Sequence, residues 1–582
     1  MKKQYKVPNH RKTEHIYRCV GDTAEYIDSL ELHAGRTMFV WREGGEEREL
    51  TYGGFLDAVR SVSLGLRTLA SSAGIPADKM RVAVIGETSP YWVESYLAVV
   101  ASGFTAVPMD KELSPEEIVK FLAAAEIKAL VYSGTFASLA DSLAARAGED
   151  GVPIIYVQTG MNAEGGNSFS GEGGIYSGTL SGLISLGESS KLEFAANTNT
   201  ERCCEILFTS GTTGSSKMVM LSQKNIFSVV TSACQSVDFN AEDVLVSVLP
   251  LHHTYELACM LAACNYGCKI CINDSLRHVL KSFHDYKPTA LILVPLFVTT
   301  MYKKIMSEAK KAKRDKIFPY AAAVTRYLKL AGVDLSDKLF ASVRDAFGGR
   351  LEKIICGGAE LAPEMIAVFE AFGISIYEGY GITECSPLVA VTPYYKRKVG
   401  SVGPSVPCCE VRIDGNEIGE SGFVTGEIQV RGDNVMIGYA DSSQNSEAFT
   451  PDNWFRTGDI GYMDRDGYIY ITGRAKNVII PENGKNVYPE ELEEYLGQID
   501  EIAEAVVIGR NEAEGVVITA VIFPNYAKYG EITDAELKAE IQKKITQLNK
   551  RLPSFKQIHK VEFRKVEFEK TSSKKIKRHL IK

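Results

Sequence analysis

No stretch of this 582-residue chain is apolar for long enough to span a membrane, and no apolar core follows its basic start, MKKQYKVPNHRK. These two absences point away from a secreted or membrane-spanning protein. An excess of basic residues is also missing. The formal net charge is −8, whereas a nucleic-acid binder usually shows a basic face, so no nucleic-acid partner is expected. Cysteine is thin, with twelve along the whole chain, which fits a reducing cytoplasm better than a disulfide framework. Cys268 and Cys271 do form a Cys-x-x-Cys, with Cys264 nearby. No second pair stands at ligand spacing, and GCKICIN alternates like a strand, so a zinc centre is not expected.

What is present is ordinary globular material, 45% hydrophobic and 24% charged. The length allows roughly three or four domain-sized units. Residues 1 to about 50 form a lead-in of mixed polarity with little periodic signal. From Arg81 the pattern sharpens. Val82 to Ile85 suits a buried strand. Ser89-Pro90 caps a helix whose apolar positions run to Val100, and Gly103 can close it. Ala106 to Pro108 is the next strand, Ser114 to Glu117 a capping box, and Ala129 to Tyr132 a third strand. Alternation of this kind builds a parallel sheet with right-handed crossovers. Residues 160 to 200 are rich in Gly, Ser and Asn without a period, and suit a surface excursion. The rhythm then resumes with strands at Val244 to Leu249, Lys269 to Ile272, Ala290 to Val294 and Lys353 to Ile355. The lysine-rich span from Met301 to about Arg326 is most simply a solvated helix face.

The expected fold class is α/β: a large N-terminal body with two doubly wound sheets plus a β-rich subdomain, then a small α+β C-terminal domain. The β-rich texture starts near Glu410, with a turn at Asp466-Gly467. The boundary is placed at 475/476, giving domains 1–475 and 476–582. The last segment holds a helix opened by Pro489, strands around Val506 and Val517, a helix from Asp534 to Leu548, and a basic end with Lys570, Lys574, Lys575, Lys577 and Arg578.

The richest stretch is Phe208 to Lys217, FTSGTTGSSK. Glycines and hydroxyls let backbone N–H groups converge on an anion, and a lysine adds a point charge. The spacing is not that of a Walker A loop. By composition alone it is either a phosphate cradle or a solvated linker. Its setting between Ile206-Leu207-Phe208 and Val219-Met220-Leu221 favours the cradle. Four further stretches accompany it: LPLHHTYE at 249–256, Gly357-Gly358-Ala359-Glu360, YEGYGITE at 377–384, and Thr457-Gly458-Asp459 followed by Gly473-Arg474.

In this order the set resembles the adenylate-forming superfamily, over nearly the whole chain from about Thr51 to Lys575. FTSGTTGSSK is similar to its phosphate loop, YGITE to its adenine and magnesium motif, TGD and GRAKN to its ribose and hinge motifs, and KTSSKKIKR to its catalytic-lysine motif. Within the superfamily the chain looks most like bacterial long-chain acyl-CoA synthetases. Ser216, Met218, Gln223 and Lys574 depart from the usual pattern, and the last leaves Lys574 and Lys575 as alternatives for the catalytic position.

The resemblance implies ATP, Mg2+ and CoA as cofactors and co-substrates, with a fatty acid activated to acyl-AMP and then moved to CoA. It implies that Thr209, Ser210, Gly211, Thr212, Thr213, Gly214 and Lys217 hold phosphates. Gly358, Ala359, Glu378, Gly379, Tyr380, Gly381 and Thr383 would line the nucleotide, with Tyr380 stacked on adenine, and Glu384 would hold the metal. Asp459 and Arg474 would take the ribose. Lys575 would bridge carboxylate and α-phosphate, Lys476 would be the hinge of a mobile C-terminal domain, and Gly484 would admit pantetheine. His253 would face the acyl carboxylate or the thiol path, and Val294, Pro295, Leu296, Cys356 and Gly357 would line an acyl tunnel. A cytoplasmic location follows, with peripheral contact at the inner membrane face as an extension. Acceptors other than CoA, namely an acyl carrier protein, remain open, as do aryl acids as substrates, a nucleotide-binding regulatory role, and the oligomeric state.

Overall fold

Two sheets carry the first part of the chain, and each is parallel in the middle and antiparallel at its rims. The structure, a computed structural model, describes residues 17–146, 149, 151–160, 169–172, 174–210, 216–311, 324–325, 336–419, 421–481, 486–512, 515–527, 533–570 and 576–581. By packing, the chain falls into two compact units, Met1–Glu410 with Val430–Phe455, and Val411–Gln429 with Arg456–Lys582.

In the first unit a nine-stranded sheet runs Gly438–Tyr439, Ser216–Ser222, Cys203–Ser210, Thr105–Pro108, Arg81–Ile85, Ala129–Ser133, Ile155–Thr159, Ile175–Thr179, Ser170–Glu172. Ala83 and Ile85 pack on one face with Ile118, Leu122 and Leu143. Two helices of this unit start as their sequence suggests. Ser114 accepts from Glu117 N while Glu117 reaches back to Ser114 N, a complete capping box. Ser89 accepts from Trp92 N with Pro90 in the first turn.

The eight-stranded sheet runs Leu388–Val391, Ser375–Gly381, Lys353–Gly357, Ala290–Leu293, Val244–Ser247, Lys269–Ile272, Thr37–Glu43, Glu46–Thr51. Its core joins Val246, Leu291, Leu293, Ile354 and Ile376 to Phe283, Val298, Phe369 and Phe372 from covering helices. A buried ion pair closes one end. Lys353 Nζ lies 2.8 Å from Asp243 Oδ2, and Thr289 Oγ1 donates to Asp243 Oδ1 at 2.6 Å. Asp243, Thr289 and Lys353 stand at the N-terminal ends of three strands of the sheet, so the pair pins those ends together.

Two sequence expectations are corrected. The lead-in before residue 50 is structured from Thr23: a helix Thr23–Glu31 precedes the hairpin of Thr37–Glu43 and Glu46–Thr51. Met38, Phe39 and Val40 are buried in succession because Thr37–Glu43 is an interior strand, covered on both faces and thus without alternation. The 160–200 excursion likewise yields two rim strands, Ser170–Glu172 and Ile175–Thr179, and the helix Leu180–Glu188. Gly187 of this helix and Gly65 of the helix Tyr52–Ser72 serve close packing. A Cβ at Gly187 would stand 1.8 Å from Ser61 O, and one at Gly65 2.4 Å from Leu183 O, so this helix lies flush on the helix Tyr52–Ser72. Of the lysine-rich span, the helix Pro295–Lys311 is described, whereas 312–323 and Arg326 lie outside the described residues.

The second unit holds two smaller sheets. The antiparallel one, Cys409–Ile418, Val424–Gly432, Phe455–Met463, Ile469–Arg474, belongs almost entirely to it, with the Asp466-Gly467 turn closed by Gly467 N donating to Asp464 O. The other, Ile502–Glu512, Gly515–Pro524, Lys560–Phe563, packs Val507, Ile518 and Ile522 on Leu492, Leu537 and Ile541 of helices Pro489–Gly497 and Asp534–Asn549. All the cysteines are in the first unit. Eight are buried, including Cys268 and Cys271, and Cys19, Cys203, Cys259 and Cys408 are half-buried. Among the described residues no helix is long and apolar enough to cross a membrane.

The first unit's interior holds carboxyls besides Asp243, among them Glu94, Glu205 and Glu256. Burial pushes Glu94, Glu205 and Glu256 each up to about 8. The unfolded chain ionises them near the ordinary value and so binds fewer protons between those limits. Their contribution to stability is therefore full below the ordinary carboxyl range and is lost as pH rises toward about 8.

Two outcomes are expected. Gly187→Ala should destabilise the first unit by about 1–3 kcal/mol, as overpacking does, seen as a lower urea midpoint. An unchanged midpoint would mean the helices separate freely. Glu205→Gln should raise the midpoint relative to the parent chain at pH 8, and the gain should shrink toward pH 5. Equal offsets at both pH values would show that Glu205 is not held protonated.

Candidate active site

Open α/β sheets bind ligands beyond the C-terminal ends of their parallel strands, and the first unit's site residues collect there. Cys203–Ser210 and Ser216–Ser222 pair as a hairpin, with Thr209 opposite Lys217 and Ser210 opposite Ser216. Phe208 stacks on Phe121 with ring centroids 4.2 Å apart, which fixes the hairpin's direction. Gly211, Thr212, Thr213 and Gly214 lie outside the described residues. Lys217 Nζ stands 4.3 Å over the ring of Tyr439, a cation–π contact.

In the eight-stranded sheet Gly357 is in register with Gly379. Gly358 and Ala359 are exposed just past their strand. Ser375–Gly381 carries Glu378, Gly379, Tyr380 and Gly381. Burial, with Glu360 adding repulsion, pushes Glu378 up to about 8. Tyr380 is 7% exposed. At Gly381 a Cβ would meet Pro387 O at 1.9 Å, because the chain folds back there, with Ile382 N donating to Pro387 O at 2.9 Å. That fold-back forms the short turn Thr383–Cys385, which presents Thr383 and Glu384. Glu384 Oε1 accepts from the Tyr439 hydroxyl at 2.8 Å. Burial, then the charge and hydrogen bond of Glu384, raises the Tyr439 phenol far above its usual range, so the hydroxyl stays a donor.

His253 is the residue before the helix Thr254–Asn265, and its side chain makes no capping bond. Its ring lies 4.3 Å from that of His252. His252 Nε2 is 3.5 Å from Asp110 Oδ1, so the end of Val244–Ser247 in one sheet meets the end of Thr105–Pro108 in the other. Tyr255 reaches Leu293 O at 3.2 Å and Ile355 O at 3.1 Å, across the ends of two neighbouring strands. Of the tunnel-lining candidates, Cys356 and Gly357 are buried and Leu296 is exposed.

The second unit holds the remaining residues expected from the sequence. Asp459 and Arg474 are cross-strand partners, with Asp459 Oδ1 2.7 Å from Arg474 Nε. Asp459 is buried while Arg474 is nearly half exposed. Lys476 is exposed on the turn Ala475–Asn477, and Asn477 Nδ2 donates to Glu490 Oε1 at 2.6 Å. Gly484, Lys574 and Lys575 lie outside the described residues. The chain on either side of 571–575 is well anchored. Lys570 bridges to Ile576 and pairs with Glu504. Ile576 packs against Val506, Val521 and Phe568. Arg578 pairs with Glu493, whose Oε1 also accepts from Val507 N at 2.6 Å.

Sequence reasoning missed Tyr439 and Asp110. The signal for Tyr439 was weak, a Gly-Tyr pair after the apolar Val435 to Ile437. Asp110 sits two residues past the end of the strand Thr105–Pro108, a place shared with many loop aspartates.

Comparisons with known proteins cover most of the chain. A family model described as AMP-binding enzyme matches residues 28–440, and one described as AMP-binding enzyme C-terminal domain matches 476–582. The chain is 29% identical over 561 residues to the long-chain-fatty-acid–CoA ligase FadD15 of Mycobacterium tuberculosis, covering 90% of this chain and 88% of that protein. It is 29% identical over 395 residues to the 2-succinylbenzoate–CoA ligase of Enterococcus faecalis, covering 66% and 70%. In fold it is similar to ATP-bound MatB from Rhodopseudomonas palustris, with a TM-score of 0.71, 23% identity, and coverage of 96% of this chain and 97% of that one. With a match to residues 28–440, well over half its length, the chain belongs to the AMP-binding enzyme family.

Proposed function

We propose that this AMP-binding enzyme joins a long-chain fatty acid to CoA through an acyl-adenylate, releasing AMP and pyrophosphate. The observation that carries the reading is likeness along nearly the whole chain to a long-chain-fatty-acid–CoA ligase. The first half-reaction brings a carboxylate against the α-phosphate of ATP, so the site must gather two anions and offset their charge. Lys217, with Thr209 and the loop that follows, supplies phosphate donors. Glu384 is a hard oxygen ligand for Mg2+. Among the described residues no group of three or more His, Cys, Asp or Glu could hold a metal ion. A Mg2+ here would take its other ligands from phosphate oxygens and water, which suits that ion.

Asp459 accepts hydrogen bonds from a ribose diol, with Arg474 fixing its carboxylate. Gly358, Ala359 and the backbone of Glu378 to Gly381 border the adenine. Lys575 supplies a charge between the carboxylate and the α-phosphate, and Gly484 admits pantetheine in the second half-reaction. His253 faces the acyl group or the thiol.

ATP–pyrophosphate exchange across a panel of acids tests the reading, with exchange expected on long-chain fatty acids. Exchange only with aryl acids would move the enzyme to the aryl ligases, and no exchange with any acid would sink the enzyme reading. Mass spectrometry of products formed with CoA or with acyl carrier protein identifies the acceptor. Lys575→Ala should lower adenylate formation by about a hundredfold or more, as loss of a transition-state charge partner does. It should spare thioester formation from supplied acyl-AMP. Equal loss of both half-reactions contradicts this role, and loss from Lys574→Ala instead moves the catalytic position by one.

A further inference from the structure

Tyr439 lies where two elements of the site meet. Its hydroxyl donates to Glu384 Oε1 at 2.8 Å, and its ring lies under Lys217 Nζ at 4.3 Å. The backbone around it is stitched to the same two elements. Tyr439 pairs with Val219, and Ala440 N and Ile437 N donate to Met218 O at 2.9 Å and Met220 O at 3.0 Å. On the other side Met436 N donates to Glu384 O at 2.8 Å. Asn445 Oδ1 accepts from Tyr439 N at 2.9 Å, which locks the tyrosine's own peptide. With 5% exposure, the side chain cannot turn away without opening this edge of the sheet.

We propose that Tyr439 is a positioning residue that holds Lys217 and Glu384 at a fixed spacing, so that a phosphate chain and its divalent cation meet both at once. A lysine and a glutamate at the same edge would otherwise pair with each other and spend both charges. The ring attracts the ammonium without using up its N–H donors. The hydroxyl occupies one side of the carboxylate and fixes its plane, leaving Glu384 the rest of its acceptor capacity. Glu384 is thereby aimed through Tyr439 and not through a direct ion pair. The inference rests on the ligase reading for its nucleotide and metal, and it adds the residue that sets their geometry.

The test separates the two contacts with the full-length chain. Mn2+ binding is followed by electron paramagnetic resonance in the presence of the non-cleavable α,β-methylene analogue of ATP, and metal-free binding of the analogue by calorimetry. Tyr439→Phe keeps the ring and removes the hydroxyl. It should weaken Mn2+ binding about tenfold, the scale of a lost hydrogen bond to a charged group, and leave metal-free analogue binding unchanged. Tyr439→Leu removes both contacts and should also weaken metal-free binding by about threefold to tenfold. A Tyr439→Phe titration that overlays the parent chain overturns the proposal, as does the absence of analogue-dependent Mn2+ binding in the parent chain. Circular dichroism melts check folding, and Tyr439→Phe decides the matter alone if the leucine variant melts early. Because no acid is present, these titrations stay readable even where every acid fails in pyrophosphate exchange, so the two failures are distinct.

Discussion

A buried ion pair fixes one end of the eight-stranded sheet. Asp243 and Lys353, with Thr289 bonded to the same carboxylate, close the N-terminal ends of three strands. Two charges taken out of water are tolerated only when each is paired and hydrogen-bonded, and removing one partner strands the other at a cost of about 3–5 kcal/mol. Lys353 also lies 4.7 Å over the ring of Phe239, which completes its surroundings. With that end sealed, the opposite ends are where the backbone leaves the sheet with groups to spare. Gly358, Ala359, Glu378 to Gly381 and His253 all stand at or beyond those ends.

The two large sheets of the first unit meet at this open side, where Tyr439 donates to Glu384 and His252 Nε2 lies 3.5 Å from Asp110 Oδ1. Each contact sets an element of one sheet beside an element of the other. A substrate that must touch both sheets, as a nucleotide with its phosphates does, needs their spacing set before it arrives. Fixed dipoles and charges that require no rearrangement are the main source of catalytic power in sites of this kind.

How much of this was legible depends on the range of each interaction. The capping box of Ser114 and Glu117 is complete within four residues, and it was readable because both partners are local. The strand–helix alternation from Arg81 was readable for the same reason. Ordered motifs such as FTSGTTGSSK and YGITE made the family legible, because their residue types and their order along the chain are restricted. The hairpin Thr37–Glu43 with Glu46–Thr51 was hidden, since an interior strand loses alternation and the partner that buries it, Lys269–Ile272, is distant in sequence. The glycines of Leu180–Glu188 suggested a loop, while Gly187 lets backbone approach backbone at Ser61. Tyr439 escaped because its two partners come from other segments and its own neighbours mark nothing.

The placement of cysteine has a practical consequence. The first unit holds every thiol in the chain, most of them buried, and the second holds none. Alkylation by a bulky maleimide, followed by intact mass, therefore acts as a clock for opening of the first unit alone. The half-buried Cys19, Cys203, Cys259 and Cys408 mark its early breathing, and the eight buried thiols mark its full exposure. A unit without sulfur of this kind is silent in such an experiment, and a single engineered thiol there would be a label without background once the accessible native ones are removed.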